Sequence, residues 1–227
     1  MTEDEEEERA FEAVRGRIEA GEYLDSMLGV PGEDLEGGGS VRYAPDGQLA
    51  RMHHRWEPGF GAARAAGRIP ALPPLEPAAV DAVNGCEAAI GGSLPRLLRR
   101  CYLELGDGGF GPGYGLLPVA ELAPSYLDHP WPEGFPPEAR NLLTICRWGC
   151  GITSFVDLRD PLGSMWAVDP NPPPEDEFAA ALFRQDMTLA SWLLRWTQDR
   201  LHQPWLVRDP NTGAWRGFTE AEWEDSD

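Results

Sequence analysis

LEPAAVDAVNGCEAAIGGSLPRLLRRCYLELGDGGFGPGYGLLPVAEL, residues 75 to 122, is the stretch that decides the fold. Helix starts, helix stops and apolar spacing agree here over nearly fifty consecutive residues. Pro77 opens a first helix, where its missing N–H costs nothing, and Val80, Val83 and Ile90 fall on one face. Gly91 and Gly92 stop it. Leu94-Pro95 starts a second helix in the same way, and Leu97, Leu98, Cys101, Tyr102 and Leu105 recur as a wide buried stripe, with Arg96, Arg99 and Arg100 on the wet side. Gly106 suits the left-handed residue that closes such a helix. A Gly-rich turn follows, and the apolar run from Leu116 and Leu117 has strand length.

An acidic helix, then G-x-x-LP, then a helix ending LxLGDGG, then GLLPVAEL is the order of motifs by which this chain resembles the SUKH superfamily. That family includes yeast cell-wall assembly regulators and many bacterial immunity proteins. The likeness continues through the strands of residues 142 to 169 and the helix of residues 189 to 201, so it covers residues 72 to 202. It implies a non-catalytic binding protein whose partner is a polymorphic toxin, often a nuclease.

Outward toward the C-terminus, PSYLDHPWPEGFPPEAR is a Pro- and aromatic-rich loop, too long for a simple connection. LLTICRW and ITSFVDL are strands around Gly149-Cys150-Gly151, and SMWAV is a third; three consecutive strands with tight turns imply an antiparallel meander. The prolines of PNPPPEDEF remove backbone donors in succession and exclude regular structure. Phe178 to Arg184 fits an edge strand or the start of a helix. Leu189 to Leu201 is a helix with Leu189, Trp192, Leu193 and Trp196 on its buried face. VRDPNTGAWRGF forms a small hairpin, and Thr219 with Glu222 has capping-box spacing.

Toward the N-terminus, residues 3 to 28 spell an amphipathic helix with Phe11, Val14, Ile18 and Leu28 on its stripe. Its acidic start suits the helix dipole and is expected to be solvated and frayed. Residues 32 to 40, GEDLEGGGS, form a flexible break. VRYAPDGQLARMHHRW is a hairpin turning at Pro45-Asp46-Gly47, and residues 58 to 74 are a linker with room for one helical turn. The expected fold is α+β, a mostly antiparallel sheet flanked by helices. The expected organisation is an extension over residues 1–70, a SUKH-like domain over 71–202, and an acidic tail over 203–227.

Charge narrows the function. The chain has 38 acidic against 19 basic residues, the basic ones all Arg, for a net charge of −19. Residues 9 to 219 still hold 27 acids against 19 arginines, a net of −8. Such a field repels phosphate backbones, which excludes direct nucleic-acid binding, and it accelerates encounter with a basic protein partner. Solubility is the competing explanation. MTEDEEEERAF is acidic where a secretory leader is basic, and no apolar run approaches the ~20 residues of a membrane span. Cys86 and Cys101 lie on buried helix faces as small hydrophobes. The expected location is therefore a reducing cytoplasm.

No catalytic, metal or cofactor constellation emerges. Gly106, Gly108 and Gly111 satisfy G-x-G-x-x-G, yet a helix precedes them where the dinucleotide motif needs a strand. His53, His54, Cys146 and Cys150 lack zinc-site spacing, and adjacent histidines on a strand point to opposite faces. No serine sits in a G-x-S-x-G elbow. Of nine tryptophans, Trp166, Trp192 and Trp196 are assigned to packing. Trp131 and Trp148, with Asp107 and Phe110 of the Gly-rich loop, make a candidate partner-binding surface, because aromatic residues dominate interface hot spots. The expected function is a non-catalytic immunity protein with no cofactor and a basic, toxin-like partner; the alternatives are an intracellular scaffold like the yeast proteins and an enzyme of unknown type.

Overall fold

A computed structural model describes residues 2–32, 40–128, 131–219 and 222. The first helix, α1 (Glu3–Glu19), begins at a reciprocal cap: Thr2 Oγ1 accepts from the Glu5 N–H at 3.3 Å, and the Glu5 carboxylate accepts from the Thr2 N–H at 2.8 Å. The helix ends well short of residue 28, because Gly21 is left-handed (φ 65°) and the Glu22 N–H returns to the Arg17 carbonyl. Its acidic start is not a frayed end. Arg96 holds Asp4 and, at 2.7 Å, Glu7; Arg100 holds Glu8 at 2.5 Å while its guanidinium lies 3.6 Å above the Phe11 ring. The arginines that the sequence assigns to solvent are the cations on which α1 is seated. Ala10, Phe11 and Val14 are buried in the main core.

Strands β1 (Ser26–Leu28), β2 (Val41–Tyr43) and β3 (Leu49–His54) form an antiparallel sheet in the order β1-β3-β2, with the expected hairpin turning at residues 45 to 47. Most of the anticipated break, residues 33 to 39, lies outside the described residues. The short α2 (Phe60–Ala65) is the helical turn allowed for in the linker, and Phe60, Ala63 and Ile69 pack with Met27 in a cluster of their own.

Helices α3 (Val80–Ile90) and α4 (Arg96–Glu104) follow the deciding stretch closely. Helix α3 starts three residues later than Pro77 suggests, leaving Val80 exposed, and buries Val83, Cys86 and Ile90 before stopping at left-handed Gly91 (φ 72°). The stripe Leu97, Leu98, Cys101, Tyr102 and Leu105 is buried throughout. Gly106 is not left-handed. It is small because the Leu75 side chain approaches within 3.0 Å of where a Cβ would stand. Nor does the run from Leu116 form a strand: Leu116 makes a single antiparallel bridge to Cys146, and after Pro118 the chain turns into α5 (Val119–Leu127). Proline cannot donate within a ladder but suits a helix start.

The main sheet is the anticipated meander with one strand more: β4 (Leu142–Gly149), β5 (Ile152–Asp157), β6 (Ser164–Val168) and β7 (Leu182–Thr188), all antiparallel and adjacent in chain order. Phe178 to Arg184 thus divides between a 3-10 turn (Glu175–Ala181) and this edge strand. Alternation sorts the side chains. Leu143, Ile145, Val156 and Met165 face the helices and join the main core, whereas Leu142, Phe155 and Leu182 pack on the other side with Ala139, Trp131, Phe135 and Trp166.

Helix α6 (Leu189–Thr197) leaves the end of β7 directly and buries Leu189, Trp192, Leu193 and Trp196 against α1, α4 and the sheet. It stops four residues before Leu201. Asp199 is left-handed (φ 59°), its N–H bonds the Trp196 carbonyl, and the Arg200 N–H bonds the Arg195 carbonyl, a Schellman closure built on Asp where Gly is usual. Strands β8 (Leu206–Arg208) and β9 (Trp215–Gly217) are the expected tail hairpin. It docks on β7, where Phe183 lies so near Gly217 that a Cβ there would meet the ring at 2.7 Å. Thr219 and Glu222 make the anticipated contact, the Glu222 carboxylate accepting from the Thr219 N–H at 2.8 Å.

Candidate functional site

The four residues singled out from sequence do not form one surface. Phe110 is fully buried in the main core and offers a partner nothing. Asp107 is exposed, but its Oδ1 accepts from the Val119 N–H at 2.7 Å and so secures the start of α5. Trp148 meets Trp192 edge to face with ring centres 6.4 Å apart, and its Nε1 donates to Ser154 Oγ at 2.9 Å. It does adjoin the Gly-rich loop, since a Cβ on Gly113 would lie 3.1 Å from the indole. Trp131 packs on Phe135 and Phe155 at the opposite face of the sheet.

The histidines and cysteines are equally dispersed. His53 is buried, whereas His54 faces the other way, with Nδ1 2.7 Å from Ser26 Oγ and its ring stacked on Trp56. Cys86, Cys101 and Cys146 are buried free thiols, and burial pushes Cys101 up to about 12 and Cys146 well above its ordinary value. Cys150 alone is exposed among the four. Among the described residues no group of three or more His, Cys, Asp and Glu is gathered as a metal would require, and no helix is long and apolar enough to cross a membrane.

Concave surface occurs where the sequence gives no local signal. A groove of about 930 Å³ runs between α1 and the end of α6. Its floor is open because α1 places Ala13, Gly16 and Ala20 on that side; a Cβ added at Gly16 would touch nothing within 4 Å. Its walls carry Glu5, Glu8, Glu12 and Glu22 against Arg9 and Arg17. The Arg100 hydrogen bond holds the Glu8 carboxyl below its ordinary value.

One end of this groove is anchored by a buried charge network. Arg55 and Asp25 are almost wholly enclosed, with Nη2 donating to Oδ1 at 2.9 Å. The same Oδ1 accepts from Trp196 Nε1 at 2.8 Å, and Oδ2 accepts from the Gly113 N–H at 2.9 Å. Arg55 also reaches Asp199, which accepts from Arg17 at 3.0 Å; Arg17 in turn donates to the Thr197 carbonyl at 2.5 Å. Burial pulls both guanidiniums down from their ordinary value, while Asp25 and Glu22 work in the opposite direction. Two arginines thus occupy the carbonyl end of α6, where cations are favoured, and tie β1, β3 and α1 to it.

A second pocket, of about 540 Å³, opens between β7, the end of α6 and the tail hairpin. Arg184, Arg195, Arg200 and Arg216 line it with His202, and among the described lining residues the acid is Asp186. Comparison with known proteins identifies no relative: no family model, no curated protein and no solved structure matches the chain.

Proposed function

We propose that this protein is a non-catalytic binding module whose acidic groove between α1 and α6 receives a basic protein partner. The observation that carries this reading is the groove itself: four glutamates stand over a floor of small side chains, on a body whose charge is negative even without its terminal acidic runs. The floor admits a projecting side chain of the partner, and the walls supply the opposite charge. Resemblance to the SUKH superfamily adds the partner class, a toxin domain that this protein neutralises in the cytoplasm. A nuclease fits, since a cleft made for phosphate is basic.

Gly16→Leu tests the groove. The substitution fills the floor without backbone strain, and replacing a helical Gly favours the helix by about 0.5–1 kcal/mol. If the neighbouring gene encodes a basic toxin domain, binding of that domain should weaken by about tenfold or more, while the unfolding midpoint stays the same or rises. Association should slow markedly as salt rises and dissociation should change less. Unchanged affinity in Gly16→Leu removes the groove from the interface. If cells producing the toxin die as fast with this protein as without it, the immunity reading fails and a scaffold takes its place.

A further inference from the structure

The acidic groove has two unlike halves, and together they restrict the shape of what can lie in it. Along α1 its lining runs through Glu5, Glu8 and Glu12 and then through Ala13, Gly16 and Ala20, two sets that step by three and four residues and so keep to one face of the helix. From Glu5 to Ala20 this face is about 22 Å long, at 1.5 Å per residue.

The first half carries charge that the chain does not use up. Helix α1 holds eight acids against three arginines, and Arg96 and Arg100, seated on it, still leave an excess of three acids. Among the described residues Glu5 bonds the Thr2 N–H and no cation. Glu8 and Glu12 meet Arg100 and Arg15 through Oε2 alone, and their side chains remain 55% and 40% exposed. Each of the three keeps a carboxylate oxygen for a donor from outside.

The second half is shaped for close approach. Gly16 lies inside α1, where glycine weakens a helix relative to alanine, yet a Cβ there would meet nothing within 4 Å. No contact within the chain requires it. With Ala13 and Ala20 on the same face and Leu194 beside them, it leaves room for a third helix, since the distance between packed helices is set by the side chains at the crossing. Arg17 and Glu22, which border this half, are bonded to each other. An extended segment would fare worse: both walls are helices whose backbone groups are bonded internally, so they cannot complete its hydrogen bonds, whereas a helix satisfies its own.

We infer, resting on the reading that this groove receives a basic protein, that the docking element is an amphipathic helix of about four turns, crossing α1 at Gly16 and setting arginine or lysine side chains over Glu5, Glu8 and Glu12. Cations are favoured in the last turns of a helix. The basic half is therefore the C-terminal half of the docking helix, which runs antiparallel to α1.

The probe is a side-chain-stapled peptide of about eighteen residues, with alanine at the groove-facing positions of its first half and arginine at those of its second. One control exchanges the halves; the other, unstapled, has proline at mid-sequence and cannot form the helix. Measured by fluorescence anisotropy against the full chain, the first peptide should bind, and each control should bind about fivefold more weakly or worse. Glu5→Gln keeps the reciprocal cap, which accepts Gln at that position, and should weaken the first peptide by about threefold. Gly16→Leu should weaken it by about tenfold or more. A nitroxide at the N-terminus of the peptide should broaden the amide signals of Gly16 and Ala20 and spare those of Glu5 and Glu8.

Absence of binding by the stapled peptide at millimolar concentration overturns the inference, as does binding that Gly16→Leu leaves untouched. Equal binding of all three peptides, lost in Gly16→Leu, rules out the helix and leaves the groove as a site for basic chains. Broadening at Glu5 and Glu8 overturns the antiparallel placement. The groove reading fails separately, when Gly16→Leu leaves the affinity for the protein partner unchanged.

Discussion

Two concavities beside α6 carry opposite chemistry. Among the described residues the surface toward α1 is a groove with four glutamates and two arginines, and that toward the tail hairpin is a pocket with four arginines and one aspartate. Net charge describes neither. The acidic side owes its character to α1, whose carboxylates outnumber the cations that seat it, and the basic side to arginines brought in from three separate segments. What the contrast teaches is that a field of −19 acts at long range on approach, whereas recognition depends on which charges the fold collects at contact distance.

The largest expected effect comes from breaking the anchor on the acidic side. Arg55→Ala leaves Asp25 enclosed with no cation at Oδ1, and removing one partner of a buried pair typically costs about 3–5 kcal/mol. Urea unfolding should show that loss, with the same slope as the parent. A loss below about 1 kcal/mol would mean that water reaches Asp25 and that the network is not a buried one. A smaller effect is expected at the other end of α1. Thr2→Ala removes one half of the reciprocal cap and should lower stability by about 1 kcal/mol. No change would show that the first turn is held by Arg96 and Arg100 alone.

On the basic side the expected change is a titration rather than a loss of fold. Asp209 and Glu222 are both held down at about 2, from ordinary values of 3.8 and 4.5. The causes differ: for Asp209 the first is the backbone N–H of Thr212 and then that of Asn211, whereas for Glu222 it is Arg216. A carboxyl lowered on folding adds stability that is complete above its unfolded value and disappears as pH falls through the folded one. The hairpin contacts should therefore persist as pH drops from 4.5 and fade only toward 2. Carbon-detected NMR of the carboxylates measures this directly. In Arg216→Gln the Glu222 titration should move back toward its ordinary range while Asp209 stays low, because its backbone donors remain; if both move together, the two carboxyls act as one coupled group.

Much of the fold was legible because its signals are local. Pro95 before a helix, Gly91 after one and Pro45-Asp46-Gly47 between strands each restrict their own backbone whatever surrounds them. The stripe from Leu97 to Leu105 names its buried face without reference to a partner. Legibility ended where local preference and distant contact compete. The run Leu116 to Leu122 has the composition of a strand, yet one bridge to Cys146, a proline and the Asp107 carboxylate turn it into a helix start. The N-terminal acids have the composition of a frayed end, yet arginines some ninety residues away hold them.

The candidate sites belong wholly to this second kind. By itself the sequence determined most of the helices, three strands of the meander, the buried stripes and the sign of the long-range field, since periodicity, turn chemistry and charge are properties of neighbouring residues or of simple sums. Tertiary structure alone decided that Phe110 is core, that Arg55 meets Asp199 across 144 positions, and that arginines from β7, α6 and β9 share a pocket. Such groupings arise from chain crossings that leave no period in the sequence, so they become visible only when packing sets the distances.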